Sequence, residues 1–349
     1  MNASATIRAN YVRASVMSMR PIQVGAATGL QPRPPQDYKL AAFKPIDHVQ
    51  HRENCEKERA SSSPPASSPS WRSTETLVSY MDFSEGAPYS SFRQRLHTML
   101  TIFPYRDPIY LVAIVFLIGS LDLVINAFFD VLQKTNPKTR FEGEEAIAIP
   151  TTVLLGSILF VIAGILDTFG ALNADRGVLE TSKDAESAQL RTHYKPALLG
   201  SSEWMWIPSH EKFTDLLSSN LAFQAGLIVL LGGIIFMVAG ITDFPGIVPS
   251  DSPFFDLLVF GPQIAHGAMF LIANLMLAVY EQNCWWKPKL RDPDWQGAFL
   301  NAIGGFGFMM VGFLLAGRME LAAAVAAMVG SWAFLVGSLV RWYVVMEFC

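Results

Sequence analysis

The sequence predicts an all-α polytopic membrane protein, six transmembrane helices arranged as three repeated hairpins, on three observations. Charged residues make up only 16 % of the 349-residue chain and hydrophobic residues 51 %, whereas a soluble domain carries roughly 25 % charge. From residue 107 onward six apolar stretches follow one another, each near the ~20 residues that cross a ~30 Å hydrocarbon core. A spacing of small residue, Phe and small residue then recurs in four of them. A mean hydropathy of +0.30 makes lipid the solvent for most of the chain. A net charge of −4 gives no basic footprint for nucleic acid. Cys55, Cys284 and Cys349 are too dispersed for a disulfide framework or a CxxC metal site.

Residues 1–90 read as a disordered cytosolic tail. Ser61–Ser70 is a Ser/Pro tract, and Gln-Pro-Arg-Pro-Pro-Gln occupies 31–36; such segments bury too little apolar surface to offset chain entropy. No acidic residue precedes Asp37, while Arg8, Arg13, Arg20 and Arg33 are basic, the composition of a mitochondrial transit peptide. Ile7, Tyr11, Val12, Val16 and Met19 nevertheless scatter around the helical wheel and give no clean amphipathic face. A plain cytosolic tail and an organelle presequence, which would place the protein in the mitochondrial inner membrane, therefore both stand.

The membrane domain covers 91–349, with spans expected at 109–131, 148–172, 219–242, 256–281, 297–317 and 321–345. Leu-Val-Ala-Ile-Val-Phe-Leu-Ile at 111–118 and the apolar run 227–238 lack the polar residue every three or four positions that a soluble helix shows. Leaving the tail aside, nine Lys and Arg lie in the connections on the side of the two termini and four on the other side. Both termini are therefore expected in the cytoplasm. Trp204, Trp206, Trp285, Trp286, Trp295 and Trp342 fall at helix ends on that same side, where indole favours the headgroup layer.

The repeated spacing reads Gly156-Phe160-Gly164, Gly232-Phe236-Gly240, Gly304-Phe308-Gly312 and Gly330-Phe334-Ser338, with a polar version at His266-Phe270-Asn274. Helices in lipid associate by close backbone approach at small residues, so these rows are helix-packing faces of a bundle built from three hairpins. Besides the bilayer, such faces also allow association with a second copy or with other membrane proteins.

Asn220-x-x-Phe223-x-x-Gly226, Glu281-Gln282 followed by Trp285-Trp286-Lys287-Pro288, and Asn301-x-x-Gly304-x-x-Gly307-Phe308 resemble a group of uncharacterised fungal multi-pass membrane proteins. Gly-Ser-x-x-Phe-Leu-x-Gly-Ser at 330–338 also resembles the YrhK-like two-helix module. The likeness covers residues 203–347; it implies a six-helix membrane protein and carries no site residue.

Ionisable groups at mid-membrane cost about 2.5–3.5 kcal/mol and mark functional candidates. At ~1.5 Å per residue, Asp122 lies about 20 Å from the inner end of the first helix and His266 about 14 Å from the outer end of the fourth, close to one level. Asn126 and Asp130 continue a polar stripe from Asp122, and Pro262 interrupts the ladder one turn before His266. Asp122, Asn126, Gln263 and His266 thus form a candidate transport cavity open to the outer side; mutual hydrogen bonding that only fixes helix packing is the other reading of the same residues. Asp167, Asn220, Gln224, Asn274 and Asn301 form an inner polar layer, and Arg341 and Glu347 are expected to snorkel.

A lone intramembrane His excludes bis-histidine haem, and HxxxH, HExxH, GxSxG and P-loop patterns are missing. No catalytic, cofactor-binding or metal-ligating residue is expected, and enzyme activity is not. A structural or assembly role in the membrane is the leading expectation, and a small-solute or proton transporter with its cavity at Asp122 and His266 the alternative.

Overall fold

The structure, a computed structural model, describes residues 3–18, 92–183, 190–249, 251–282 and 284–346, which belong to one compact unit. The Ser/Pro tract, Cys55, Glu347 and Cys349 lie outside the described residues. The elements are α1 (Ala3–Ser18), α2 (Phe92–Thr101), α3 (Pro108–Thr135), α4 (Ile149–Leu172), β1 (Val178–Lys183), β2 (Leu190–Lys195), α5 (His210–Ser219), α6 (Leu221–Thr242), α7 (Phe255–Tyr280), α8 (Pro293–Ala316) and α9 (Glu320–Val345). Strands β1 and β2 form an antiparallel hairpin in the α4–α5 connection, with Val178 opposite Lys195.

Helices α3, α4, α6, α7, α8 and α9 are long and apolar enough to cross a membrane, and their ends lie within a few residues of the expected spans. Each packs on the next, and α9 closes back on α3, so the three hairpins α3–α4, α6–α7 and α8–α9 form a ring. One face of the ring carries both ends of the bundle and is called the terminal face; the other carries the three hairpin turns. The lipid side is read from the exposed apolar stripes, Ile118, Leu121, Ile125 and Phe128 on α3 and Leu321, Val325, Val329, Trp332 and Val336 on α9. Their steps of three and four residues keep them on one side of each helix, leaving glycine, alanine and phenylalanine to face inward.

Inside each hairpin a glycine of the first helix receives a ring from the second. A Cβ at Gly119 would lie 2.9 Å from Phe160, at Gly232 2.9 Å from Phe270, and at Gly304 2.6 Å from Phe334. With these three glycines superposed, Asp107, Asn220 and Asp292 fall in register, twelve residues earlier, and each is the N-cap of its helix. The repeat therefore includes the capping chemistry as well as the packing. Asn220 Oδ1 accepts from Phe223 N at 3.0 Å, and Asn220→Ala is expected to cost about 1 kcal/mol. Asn220→Asp, which keeps the acceptor, is expected to retain the wild-type thermal midpoint.

Residues 3–18 differ from the expectation of a disordered tail. Helix α1 is docked into the bundle, with Ala3 and Ser4 fully buried and Arg8 and Val12 2 % exposed. Small side chains replace an amphipathic face here: a Cβ on Gly226 would stand 3.0 Å from Ala3 Cβ, and one on Gly170 3.0 Å from Ser4 Cβ. A second correction concerns Arg341, which is 2 % exposed and donates from Nη1 to Asp294 Oδ1 at 2.7 Å. An acid at the start of the neighbouring helix holds it inside the bundle, so it does not snorkel.

Candidate functional site

Four layers follow one another along the ring axis. At the hairpin face is a cavity of about 170 Å³ lined by residues of all six membrane helices, with room for roughly half a dozen waters at ~30 Å³ each. Its lining obeys the repeat. In register on the first helices of the hairpins stand Asn126, Ala239 and Val311, and one turn further out Asp130, Asp243 and Leu315. On the second helices, seven residues before each central ring, stand Val153, Gln263 and Ala327. The cavity thus lies on the pseudo-threefold axis, and its polar groups are what distinguish the three hairpins from one another.

Within this lining, Asn126 is 8 % exposed and donates from Nδ2 to Ile149 O at 2.9 Å and Thr152 Oγ1 at 2.8 Å. Both donated bonds use the nitrogen, so Oδ1 is the atom left to accept. Asp130 pairs with Lys134 at 3.0 Å, and Lys134 also reaches Glu320 at 3.5 Å. Asp243, just beyond the end of α6, has no ion pair among the described residues. Enclosure by the cavity walls, reinforced by the charge of Asp130, pushes its carboxyl up to about 6. The group keeps contact with solvent, so this is a matter of protein around an open water pocket rather than of burial in a dry core.

Phe236 and Phe308 floor the cavity, and beneath them the axis is filled with aromatic rings. Phe160, Phe270 and Phe334, one from each hairpin, form a near-equilateral triangle with centroids 5.7, 5.7 and 5.8 Å apart. Phe116 stacks on Phe160 at 4.4 Å, Phe236 lies 6.0 Å from Phe160, and Phe308 lies 5.6 Å from Phe334. Every membrane helix therefore contributes one ring, at separations where aromatic pairs attract. Phe116 escaped the expected pattern because the repeat places Leu123 in register with Phe236 and Phe308.

The residues expected to share a cavity divide between these layers. Asn126 and Gln263 line it; Asp122 and His266 are not among its lining residues. His266 is 2 % exposed, stacks on Phe236 with centroids 4.2 Å apart, and its Nδ1 donates to Pro262 O at 3.3 Å. That bond satisfies one ring nitrogen locally, within a helix that runs through Pro262. Asp122 turns into the α3–α4 seam, where a Cβ on Gly156 would meet its Oδ2 at 3.0 Å.

On the terminal side of the rings lies a buried polar layer. Ser120 Oγ and Ser338 Oγ are 3.1 Å apart, and Asn274 donates from Nδ2 to Phe270 O at 2.7 Å. Neither amide atom of Asn301, nor Asn274 Oδ1, has a hydrogen-bond partner among the described residues, although both side chains are fully buried. Orphaned amides of this kind are satisfied in proteins by trapped water. Of the expected inner layer, Gln224 donates from Nε2 to Leu217 O at 2.8 Å, and Asp167 belongs to the contact with α1.

The last layer is α1 itself. Asp167 accepts from Ala3 N at 3.0 Å, and from Ser4 N and Ser4 Oγ at 2.9 and 2.7 Å. It thereby caps the positive N-terminal end of α1 from another helix. Arg8 donates to both oxygens of Asp107, at 2.7 and 3.0 Å, with both side chains 3–4 % exposed. Asn10 donates to Tyr280 Oη at 2.9 Å. The sequence offered one signal for this layer, the basic residues without nearby acids. Arg8 finds its partner 99 residues away in the chain, and Ser4 finds its own 163 away.

No family model matches this chain, and neither does any curated protein or solved structure. The six apolar helices and their closed ring define a multi-pass membrane protein, and its function has to be read from the layers on the axis.

Proposed function

We propose that the protein moves a small monovalent cation across its membrane along the axis of the helix ring. The observation that carries this reading is the axial cavity, lined by all six helices in repeat register, carrying Asp130 and Asp243 at its mouth and closed below by rings. A passage on the symmetry axis of repeated elements is where membrane transport sites form. The two carboxylates concentrate cations at the entrance, and Asn126 Oδ1 and the Gln263 amide supply neutral oxygen further in. Lys134 already answers Asp130 and Glu320, so Asp243 is the carboxylate open to the ion. The aromatic layer is a dry constriction of the type that gates by excluding water.

An assembly role finds less support. Gly156, Gly164, Gly232, Gly240, Gly304, Gly312 and Gly330 each stand against another helix of the chain itself, so the packing rows are consumed in building the ring. The excess of Lys and Arg and the tryptophans on the terminal face support a cytoplasmic side there, with the cavity opening outward.

Flux of rubidium or sodium into proteoliposomes, with external pH varied from 4.5 to 8, tests the reading. Asp243 binds a cation only when ionised, so uptake is expected to rise with pH through about 6. Asp243→Asn is expected to lower uptake at pH 7.5 at least fivefold and to flatten the profile, while Asp130, Lys134 and Glu320 are left in place. Linkage gives a second sign. A carboxyl raised in the folded state favours folding at low pH and loses that contribution as pH rises through its folded value. The thermal midpoint of wild type relative to Asp243→Asn should therefore fall between pH 4 and 7. Equal flux in empty liposomes and in liposomes carrying the wild type would dispose of the proposal.

A further inference from the structure

We infer that α1 is an autoinhibitory plug, docked in the terminal mouth of the ring and released by breaking the Arg8–Asp107 and Asp167 contacts; this rests on the transport reading above. Four observations carry it.

First, the contacts of α1 span the mouth. It packs on α4 and α6, binds the cap of α3 through Asp107 and the end of α7 through Tyr280, and Ala5 shares an apolar cluster with Ile109 of α3 and Val345 of α9. Four of the six ring helices thus meet one short helix, and a fifth, α9, joins the same apolar cluster, the arrangement of a stopper rather than of an extra strut on one side.

Second, the tip of α1 is its deepest part: Ala3 and Ser4 meet Asp167 and Gly226, each five residues inside a helix end, whereas Arg8 and Asn10 meet Asp107 and Tyr280 at the ends themselves. Asp167, which holds Ala3 and Ser4, lies seven residues from Phe160 on α4, about 10 Å at ~1.5 Å per residue. The polar layer with the orphaned Asn301 lies between this tip and the rings. With α1 in place Asn274 and Asn301 are fully buried; with α1 gone, that layer is the next polar group inward from the mouth.

Third, the socket is charged in a way that suits a removable partner. Asp107 and Asp167 are both acids, and α1 brings Arg8 and a helix N-terminus to meet them. Without α1 two carboxylates stand at the inner mouth, so the vacated route is acidic at both ends, as a cation path requires. A purely structural brace would be served better by apolar packing, because a buried ion pair is weak evidence for stability.

Fourth, the repeat shows that the socket is specific to one hairpin. Asp107 is in register with Asn220 and Asp292, and Asp167 with Leu277 and Arg341. Only the α3–α4 hairpin presents an acid at both positions, and among the described residues the charged contacts of α1 are with that hairpin.

The test uses the full chain with its native cysteines replaced by serine, reconstituted in phosphatidylcholine vesicles. Ile7→Cys, a buried α1 position, reports docking through its labelling rate with a membrane-impermeant maleimide, and rubidium uptake reports passage. Arg8→Ala is expected to raise labelling at least tenfold and uptake at least threefold. The exchange Arg8→Asp with Asp107→Arg is expected to return both toward wild type. Should Arg8→Ala fail to reconstitute, Asp167→Asn serves, since it removes the cap charge while keeping an amide in place. Labelling that stays at the wild-type rate in both variants overturns the detachable plug. Uptake that is measurable and Asp243-dependent, yet unchanged when labelling rises, overturns the gating role and leaves the transport reading standing. Uptake equal to that of empty vesicles in every variant overturns both.

Discussion

Phe160→Ala is expected to lower the stability of the bundle by about 3–5 kcal/mol, the range for deleting a buried aromatic side chain, and to raise cation leak through the same protein. Phe160 is 1 % exposed and is the hub of the axial layer, in ring contact with Phe116, Phe236, Phe270 and Phe334. Its removal strips four partners at once and leaves a void between the hairpin-side cavity, floored by Phe236 and Phe308, and the polar layer of Asn274 and Asn301. In water an apolar ring is held inside by the hydrophobic effect; in lipid that force is weak, so most of the loss is contact energy and residual cavity. A lipid-facing control separates these terms. Phe128, 43 % exposed, exchanges protein contacts for acyl chains, and Phe128→Ala is expected to cost under about 1 kcal/mol by the same argument. Thermal unfolding in detergent measures both variants. Flux in proteoliposomes should rise severalfold in Phe160→Ala alone. Equal midpoints for the two variants would mean that the axial rings are not the packed centre of the protein.

The sequence declares what depends on composition and local periodicity. Spans follow from apolar length, because a helix in hydrocarbon must satisfy its own backbone and can carry few charges. The Gly and Phe register follows from close approach, which small residues permit in any context. Depth can be counted along each span, and the count puts Asp122 and His266 near one level. Depth alone, however, says nothing about azimuth. The direction a side chain faces is fixed by the ring, and the repeat decides it: in register with Gly119, Gly232 and Gly304, the groups that reach the axis on the first helices are Asn126, Asp130 and Asp243. Asp243 was overlooked because it lies past the last apolar residue of its span, although its register with Asp130 was there to be counted. Helix α1 was beyond reach for another reason. Ala and Ser around Arg8 carry no amphipathic signature, and the acids that hold them are separated from them by 99 to 164 residues.

Gly267→Ala and Gly305→Ala bear on how closely the ring is drawn together, and each is expected to cost about 3 kcal/mol, the upper end for overpacking a filled interior. These two glycines face one another across the α7–α8 seam. A Cβ on Gly267 would lie 2.3 Å from Met309 N, and one on Gly305 would lie 2.5 Å from Leu271 N. Both obstacles are backbone, so no rotamer change relieves them and the helices must separate. Because either methyl forces the same separation, the double variant should cost less than the two singles together. Gly261→Ala is the matched control on α7, with only Leu257 Cδ1 at 3.5 Å. It gains helix propensity and is expected to be neutral or slightly stabilising. The seam also links stability to passage. Helix α7 carries Gln263 into the cavity on one side of Gly267 and Phe270 into the central triangle on the other. Separating α7 from α8 therefore loosens Phe270 against Phe334 and widens the cavity together, and Gly267→Ala should pass rubidium faster than the wild type at the same temperature. A Gly267→Ala protein that melts with the wild type and takes up rubidium at the wild-type rate would show that the seam is looser than the backbone contact requires, and that the constriction does not depend on it.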